Sequence, residues 1–133
     1  MNVLAPQPAP TTGDGPAVWP LIYDSDRLEI PDWLREDMRE RDEEGARKYG
    51  TPLKVWNGRD AVIDAYQEAL DLCVYTKQAR ERLGPYSLSR HEEINAHIAL
   101  DRAFHWAISA AIHLGELARA LKVPTTPPKD TRR

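Results

Sequence analysis

The segment Asp64-Ala-Tyr-Gln-Glu-Ala-Leu-Asp-Leu72 carries two patterns at once, and together they predict a helix with two different sides. Its acids Asp64, Glu68 and Asp71 follow at i, i+4 and i+7, so they project from one side of the helix. We therefore expect a deeply packed helix over residues 58–78 with an acidic row opposite its apolar arc. That arc has helical spacing and comprises Val62, Ala65, Tyr66, Ala69, Leu72 and Cys73.

The residues before this segment predict how its helix starts and what precedes it. Asn57 is a good N-cap, and Asp60 three residues later resembles a capping box. A further helix is expected over residues 31–49, and short apolar pieces within residues 19–30 are compatible with extended chain. The apolar positions of the 31–49 helix form a narrow stripe of Leu34, Met38, Gly45 and Tyr49.

A long helix is expected over residues 90–122, and it is apolar in nearly every direction. A helix of this kind lies at the centre of a core or is shared between subunits, and so short a chain has too few elements to cover every side. We therefore expect an all-α fold that assembles into a homo-oligomer, a dimer or a tetramer. The apolar residues are Ile94, Ile98, Leu100, Phe104, Trp106, Ile108, Ile112, Leu114, Leu117 and Leu121.

Composition predicts an ordinary cytoplasmic protein with one folded domain. The chain has 133 residues and a net charge of −3, so no basic excess favours a nucleic acid or an anionic membrane as partner. No apolar run reaches about 18 residues and the start lacks a signal-peptide pattern. The single cysteine, Cys73, excludes an internal disulfide and a cysteine-based zinc site. Residues 1–18 and 123–133 have the composition of flexible ends, which leaves residues 19–122 as the helical domain.

The two shorter helices each carry a pair of acids. Glu40-Arg-Asp-Glu43 forms an ExxE pattern, and Glu68-Ala-Leu-Asp71 forms an ExxD pattern. Antiparallel helices joined by a short loop would let the two pairs face each other. Carboxylate oxygens suit Mg²⁺ or Mn²⁺, two or more per site, and such ions would let an acidic surface bind the negative charge of a polyphosphate.

This combination resembles the MazG-like nucleoside triphosphate pyrophosphohydrolases, over about residues 34–80. The runs Arg47-Lys-Tyr-Gly-Thr-Pro-Leu53 and Asn57-Gly-Arg-Asp60, between ExxE and ExxD, are similar to those of small phage and actinobacterial members. The resemblance implies a small helical domain that hydrolyses a nucleoside triphosphate between its α- and β-phosphates. Similarity to the phage MazZ subgroup, linked to 2-aminoadenine DNA, implies dGTP or GTP as substrate, in the cytoplasm of a host cell if the chain is phage-encoded.

The resemblance also implies roles for particular residues. Glu68 and Asp71 are the expected catalytic acids and metal ligands. Glu40 and Glu44 are expected to complete the ligand set, with Glu44 in place of the motif's Glu43 because Glu44 and Asp37 lie nearer the apolar stripe of their helix. Glu40 and Glu43 lie away from the apolar stripe of their helix, so the choice among its acids stays open. The alternates are Asp37, Glu43 and Asp64. The residues expected to bind substrate, helped by backbone N–H groups at the start of the next helix, are Lys48, Asn57 and Arg59, then Arg47, Tyr49 and Trp56.

Each of these assignments has a plain alternative. The acids of the 31–49 helix could form a solvated face, with i, i+4 pairs such as Glu43–Arg47 and Glu44–Lys48. The basic residues could be ordinary surface charge, Asn57 a cap, and Trp56 a core or interface residue. The alternative function is a non-enzymatic helical oligomerisation module. A helix-turn-helix regulator would need a basic recognition helix, which residues 89–122 do not supply.

Overall fold

The computed structural model describes residues 2–84 and 88–129, and this part of the chain is mostly helical with one small sheet. The fold is therefore helical, as the sequence predicts, except for the two short strands. In chain order the elements are β1 (Asp14–Ala17), α1 (Val18–Tyr23), α2 (Asp32–Tyr49), β2 (Lys54–Trp56), α3 (Ala61–Glu81) and α4 (Arg90–Ala120).

The chain divides into two compact units. The helical-pair unit contains residues 2–7 and the described part of 60–123, and it includes α3 and α4. The sheet unit contains residues 8–59 and 124–129, with β1, β2, α1 and α2. The sequence-based division at residues 18 and 122 stays a prediction.

Helix α3 packs against α4, and the start of the chain packs against α3. Val3, Ile63 and Ala118 form the buried cluster of this unit. The Gln67 side chain donates from Nε2 to the carbonyl oxygens of Val3 and Ala5, at 3.0 Å each. Residues 2–7, although their composition is that of a flexible arm, therefore make specific contacts with a helix.

The Tyr66 side chain of α3 packs directly against Gly115 of α4. A Cβ atom placed on this glycine would lie 2.8 Å from Cε2 of Tyr66, so the ring fills the space that a side chain would need. The Arg119 guanidinium lies over the same ring, 5.4 Å from its centroid. Arg80 of α3 also donates from Nε to Asp101 of α4 at 2.5 Å. A ring packed on a glycine, a cation–π contact and an ion pair therefore join the two helices, beside the buried cluster that contains Ile63 and Ala118.

Helix α3 begins at Ala61, later than the start at residue 58 that an Asn57 N-cap would give. Its N-cap is Asp60, whose carboxylate accepts from the N–H groups of Val62 (3.0 Å) and Ile63 (3.1 Å). The amide oxygen of Asn57 instead accepts from Arg59 N–H at 3.2 Å, and Gly58 has a φ of 79°. The prediction of an Asn57 cap is wrong because the left-handed glycine holds residues 57–59 in a turn outside the helix.

The buried side of α3 also differs from the predicted arc. Ile63, Ala69 and Thr76 are its buried residues, whereas Leu72 of the predicted arc is 47% exposed. Cys73 is half-buried. The prediction of a deeply packed helix is wrong for α3, because Ala69 is the single buried member of the predicted arc and the others are half-buried or exposed.

Strands β1 and β2 are antiparallel, pairing Asp14 with Trp56 and Ala17 with Lys54. The register shifts between these pairs, and Gly15, with a φ of 80°, lies inside the irregularity. The expectation of extended structure within residues 19–30 is wrong. Helix α1 begins at Val18, and the two strands lie before it and after α2.

Helix α2 follows its predicted bounds and ends at Gly50, which has the left-handed φ of 72° that favours glycine. Leu34, Met38 and Gly45 are half-buried as the stripe predicts, but Tyr49 is 61% exposed. Tyr49 leaves the stripe because it is the last residue before the turn.

Helix α4 starts with a complete capping box. The Ser89 hydroxyl accepts from Glu92 N–H, and the Glu92 carboxylate accepts from Ser89 N–H, which lowers the pKa of Glu92. Over the part of the chain that the structure describes, no helix is long and apolar enough to cross a membrane.

Candidate functional site

The acidic row of α3 lies on the solvent side of that helix. Glu68 and Asp71 are exposed and Asp64 is half-buried, while Ile63, Ala69 and Thr76 face the other way. The Asp60 cap starts the helix early enough that all three acids occupy regular helical positions. The predicted placement of the ExxD pair on one accessible helical side is therefore confirmed, and its role in metal binding stays a prediction.

An exposed aromatic ring extends this row. Tyr75 follows Asp71 by four residues, so it continues the spacing of Asp64, Glu68 and Asp71, and it is 62% exposed. Tyr75 was not among the predicted site residues, although its i+4 spacing from Asp71 is visible in the sequence. The ring places a flat apolar surface beside two carboxylates.

The acids of α2 are exposed, except for Asp42, which is half-buried. The Arg41 guanidinium donates to Glu44 at 3.2 Å, an exposed i, i+3 pair. This contact differs from the predicted Glu44–Lys48 pair, and it supports a solvated face at Glu44. Surface pairs of this kind contribute little to stability, so Arg41 would yield readily to another cation. The exposed acids of the predicted ligand set on this helix are Asp37, Glu40, Glu43 and Glu44.

Asp42 is the acid of α2 that the sequence analysis missed. The Tyr23 hydroxyl donates to its carboxylate at 2.9 Å, which ties α1 to α2. This hydrogen bond raises the pKa of Tyr23 above its ordinary value. Arg35 also donates from Nη1 to the Tyr23 carbonyl oxygen. The available signal was position, because Asp42 lies four residues after Met38 and three before Gly45, within the apolar stripe.

The loop residues of the predicted substrate site occupy the end of α2 and the turn before α3. Arg59 donates from Nη1 to the carbonyl oxygen of Pro8 at 2.6 Å, and Asn57 accepts Thr11 N–H through its carbonyl at 2.9 Å. The Lys48 ammonium lies 5.2 Å from the centroid of the Tyr49 ring. Arg47 is exposed, and Trp56 is half-buried in β2.

The start of α3 is less suited to a phosphate than the sequence suggested. The Asp60 carboxylate already accepts the N–H groups of Val62 and Ile63, and its negative charge would repel an anion there. The expectation that free N–H groups at this helix start help to bind phosphate is therefore wrong. Phosphate recognition would depend on basic side chains.

The two acidic helices belong to different compact units, α2 to the sheet unit and α3 to the helical-pair unit. Among the described residues, no group of three or more histidine, cysteine, aspartate or glutamate side chains is arranged to hold one metal ion. Within each helix the acids still share a side, and their carboxylates are the oxygen ligands that Mg²⁺ and Mn²⁺ prefer. That the ExxE and ExxD pairs face each other stays a prediction.

Comparison with known proteins adds no assignment. No protein-family model, curated protein or solved structure matches the chain significantly.

Proposed function

We propose that this protein is a metal-dependent nucleoside triphosphate pyrophosphohydrolase of the MazG-like type. It would hydrolyse the bond between the α- and β-phosphates, giving a nucleoside monophosphate and pyrophosphate. The observation that carries the proposal is the exposed ExxD pair, Glu68 and Asp71, on a regular helix with no lysine or arginine within four residues of Glu68. Carboxylates so placed repel each other, and a divalent cation would relieve that repulsion.

The donor set suits a hard cation. The proposed ligands are Glu40 and Glu44 with Glu68 and Asp71, and the alternates are Asp37, Glu43 and Asp64. When bound, Mg²⁺ or Mn²⁺ would neutralise phosphate charge and lower the pKa of an attacking water. One of the exposed acids would orient that water in line with the leaving pyrophosphate, which departs as the Pα–O bond breaks.

The remaining roles fall to the basic and aromatic side chains. Lys48 and Arg59 would bind the β- and γ-phosphates, with Arg47 close by on α2. Tyr75, exposed and in the same row as Glu68 and Asp71, offers a ring on which a base could stack. A guanine nucleotide, dGTP or GTP, is proposed as substrate on the MazZ resemblance alone.

The proposal is tested by incubating the protein with the common ribo- and deoxyribonucleoside triphosphates and Mg²⁺ or Mn²⁺. We expect monophosphate and pyrophosphate in equal amounts, with guanine nucleotides turned over fastest. Release of orthophosphate, or no hydrolysis of any nucleotide, would contradict the proposal.

Matched variants locate the site. Glu68→Gln and Asp71→Asn remove one charge each without changing side-chain size, so we expect turnover to fall at least about 100-fold in both. Glu36→Gln is the control, because Glu36 is an exposed acid of α2, paired with Arg39 at 3.4 Å, outside the proposed ligand set. Circular dichroism checks that each variant keeps its helices. Wild-type turnover in both α3 variants would show that Glu68 and Asp71 are not part of the catalytic site.

The second candidate function, a non-enzymatic oligomerisation module, is favoured by a different observation. Large apolar side chains are exposed on both α3 and α4, among them Val74 at 62% and Trp106 at 76%. Exposed apolar surface of this kind marks association with another protein surface. It does not account for the acidic row.

A further inference from the structure

One side of α4 carries a regular stripe of residues, which we call the α4 seam. Its members alternate between spacings of four and three residues, the pattern that keeps side chains on one line along a helix. The seam is about 27 Å long at 1.5 Å per residue. Its four isoleucines are between 39% and 53% exposed. The α4 seam consists of Ile94, Ile98, Asp101, His105, Ile108 and Ile112.

The packing of α3 leaves the four seam isoleucines exposed, although Arg80 of α3 donates to Asp101 in the middle of the seam. The buried residues of α4 are Ala107, Gly115 and Ala118, which lie on another side of the helix, against α3. The middle of the seam borders an open groove of about 340 Å³. Side chains from a facing helix could seat in such a groove, as knobs seat in holes. The groove is lined by Asp101, Arg102, His105, Trp106 and Ser109.

The order of residues in the seam is self-complementary when the helix is reversed. Reversal about Ala103 places Ile94 opposite Ile112 and Ile98 opposite Ile108. It also places Asp101 opposite His105. An isologous two-fold contact requires this relation, because residue i must fit residue j and residue j must fit residue i. We infer that the α4 seam binds the α4 seam of a second copy of this chain, antiparallel, about a two-fold axis that crosses the seam between Asp101 and His105.

Charge favours the antiparallel over the parallel orientation. In a parallel pair, Asp101 would lie opposite Asp101, so two carboxylates would repel in the middle of an apolar contact. In the antiparallel pair, each Asp101 lies opposite an imidazole. His105 uses Nδ1 toward the Asp101 carbonyl oxygen of its own chain at 2.6 Å, which leaves Nε2 for the partner. Asp101 already accepts from Arg80, and a carboxylate has capacity for more than one donor.

This contact gives a surface to the homo-oligomer that the sequence predicts, and it does not depend on hydrolase activity. Association is measured by sedimentation velocity over a series of protein concentrations. We expect a wild-type dimer, and monomers for Ile98→Glu and Ile108→Glu, because each would bury charge against a partner isoleucine. Val74→Glu is the control on α3, since Val74 is more exposed than any seam isoleucine but lies outside the seam, and it should stay dimeric.

Register is tested by cross-linking in a Cys73→Ser background. The variants Ile98→Cys and Ile108→Cys are each oxidised alone and then as a mixture. Only the mixture should give a disulfide-linked dimer, because position 98 faces position 108 of the partner. Cross-linking of each single variant with itself would show a parallel pair and overturn the inference.

The outcomes separate this inference from the hydrolase proposal. A wild-type protein that stays monomeric at all concentrations, or a dimer that both glutamate variants leave intact, overturns the seam contact. Either result leaves hydrolysis of nucleotides to be decided by its own assay. A dimer that forms through the α4 seam but hydrolyses no nucleotide would confirm the contact and contradict the hydrolase proposal.

Discussion

At the residue scale, the hydrogen bond from the Tyr23 hydroxyl to Asp42 joins α1 to α2 in the sheet unit. A phenol that donates to a carboxylate resists ionisation, since a phenolate would lose the hydrogen bond and lie beside a negative charge. The Asp42 bond is the largest cause that raises the pKa of Tyr23 above its ordinary 10.0, and the Arg39 charge near the ring opposes it only weakly.

This contact predicts a pH dependence of stability. Because the folded-state pKa of Tyr23 lies above the unfolded one, the folded chain holds the phenol proton more tightly. The stabilisation is therefore complete below pH 10.0 and is lost as the pH rises through the folded pKa. We expect the free energy of unfolding of wild-type protein to fall across this range more steeply than that of Tyr23→Phe. Urea denaturation at several pH values above and below 10.0 measures both slopes.

Asp42→Asn is the matched control for this prediction. The amide keeps an acceptor for the Tyr23 hydroxyl but removes the charge, so its slope should lie between those of the other two proteins. Equal slopes in wild type and Tyr23→Phe would show that Tyr23 titrates alike in the folded and unfolded chains.

At the element scale, two helical glycines have opposite surroundings. A Cβ on Gly115 of α4 would meet Tyr66 at 2.8 Å, whereas a Cβ on Gly45 of α2 would meet no atom within 4 Å. Both positions gain helix propensity on changing to alanine, about 1 kcal/mol or somewhat less. Only Gly115 also adds a clash between two packed helices.

We therefore expect opposite effects from the two alanine substitutions. Gly45→Ala should raise the free energy of unfolding by about 0.5–1 kcal/mol. Gly115→Ala should lower it, because overpacking costs about 1–3 kcal/mol and exceeds the gain in propensity. Urea denaturation compares the two variants with wild type. In a Tyr66→Leu background the cost at Gly115 should shrink, and an unchanged cost would place its cause elsewhere than the ring.

The longer helices of this protein were predictable from sequence patterns, and its strands were not. The bodies of α2, α3 and α4 were predicted, because helical spacing repeats over many residues and averages out exceptions. The start of α3 was not, since Asn57 and Asp60 are both good caps and only the turn at Gly58 decides between them. Strands β1 and β2 are four and three residues long and are far apart in sequence, so neither carries a periodic signal.

The candidate site was predictable to a similar degree. Helical spacing correctly placed Glu68 and Asp71 on one exposed side of α3. The same spacing puts Asp42 within the apolar stripe of α2 but does not give its partner, because Tyr23 belongs to a segment expected as extended chain. Nor does spacing within a helix determine which acids of another helix lie opposite, because that depends on tertiary packing. The prediction that the ExxE and ExxD pairs face each other therefore depends on the assumed antiparallel packing of their two helices.

At the scale of the whole molecule, the two candidate functions make different demands on divalent metal. A pyrophosphohydrolase must bind Mg²⁺ or Mn²⁺ through its folded acidic helices. An oligomerisation module has no such need, and its exposed acids would interact with metal only through weak, screened surface charge. Any ligand that binds the folded chain alone raises the free energy of unfolding, so thermal stability distinguishes the two functions without knowledge of the substrate.

We expect Mg²⁺ or Mn²⁺ to raise the melting temperature of the wild-type chain. At about 100 times the dissociation constant, one bound ion adds about 2.7 kcal/mol to the free energy of unfolding. Glu68→Gln and Asp71→Asn should abolish the shift, whereas Glu36→Gln should keep it. An equal concentration of a monovalent salt controls for ionic strength. A melting temperature that no divalent metal changes would favour the oligomerisation module, because the acidic side of α3 would then bind no divalent cation.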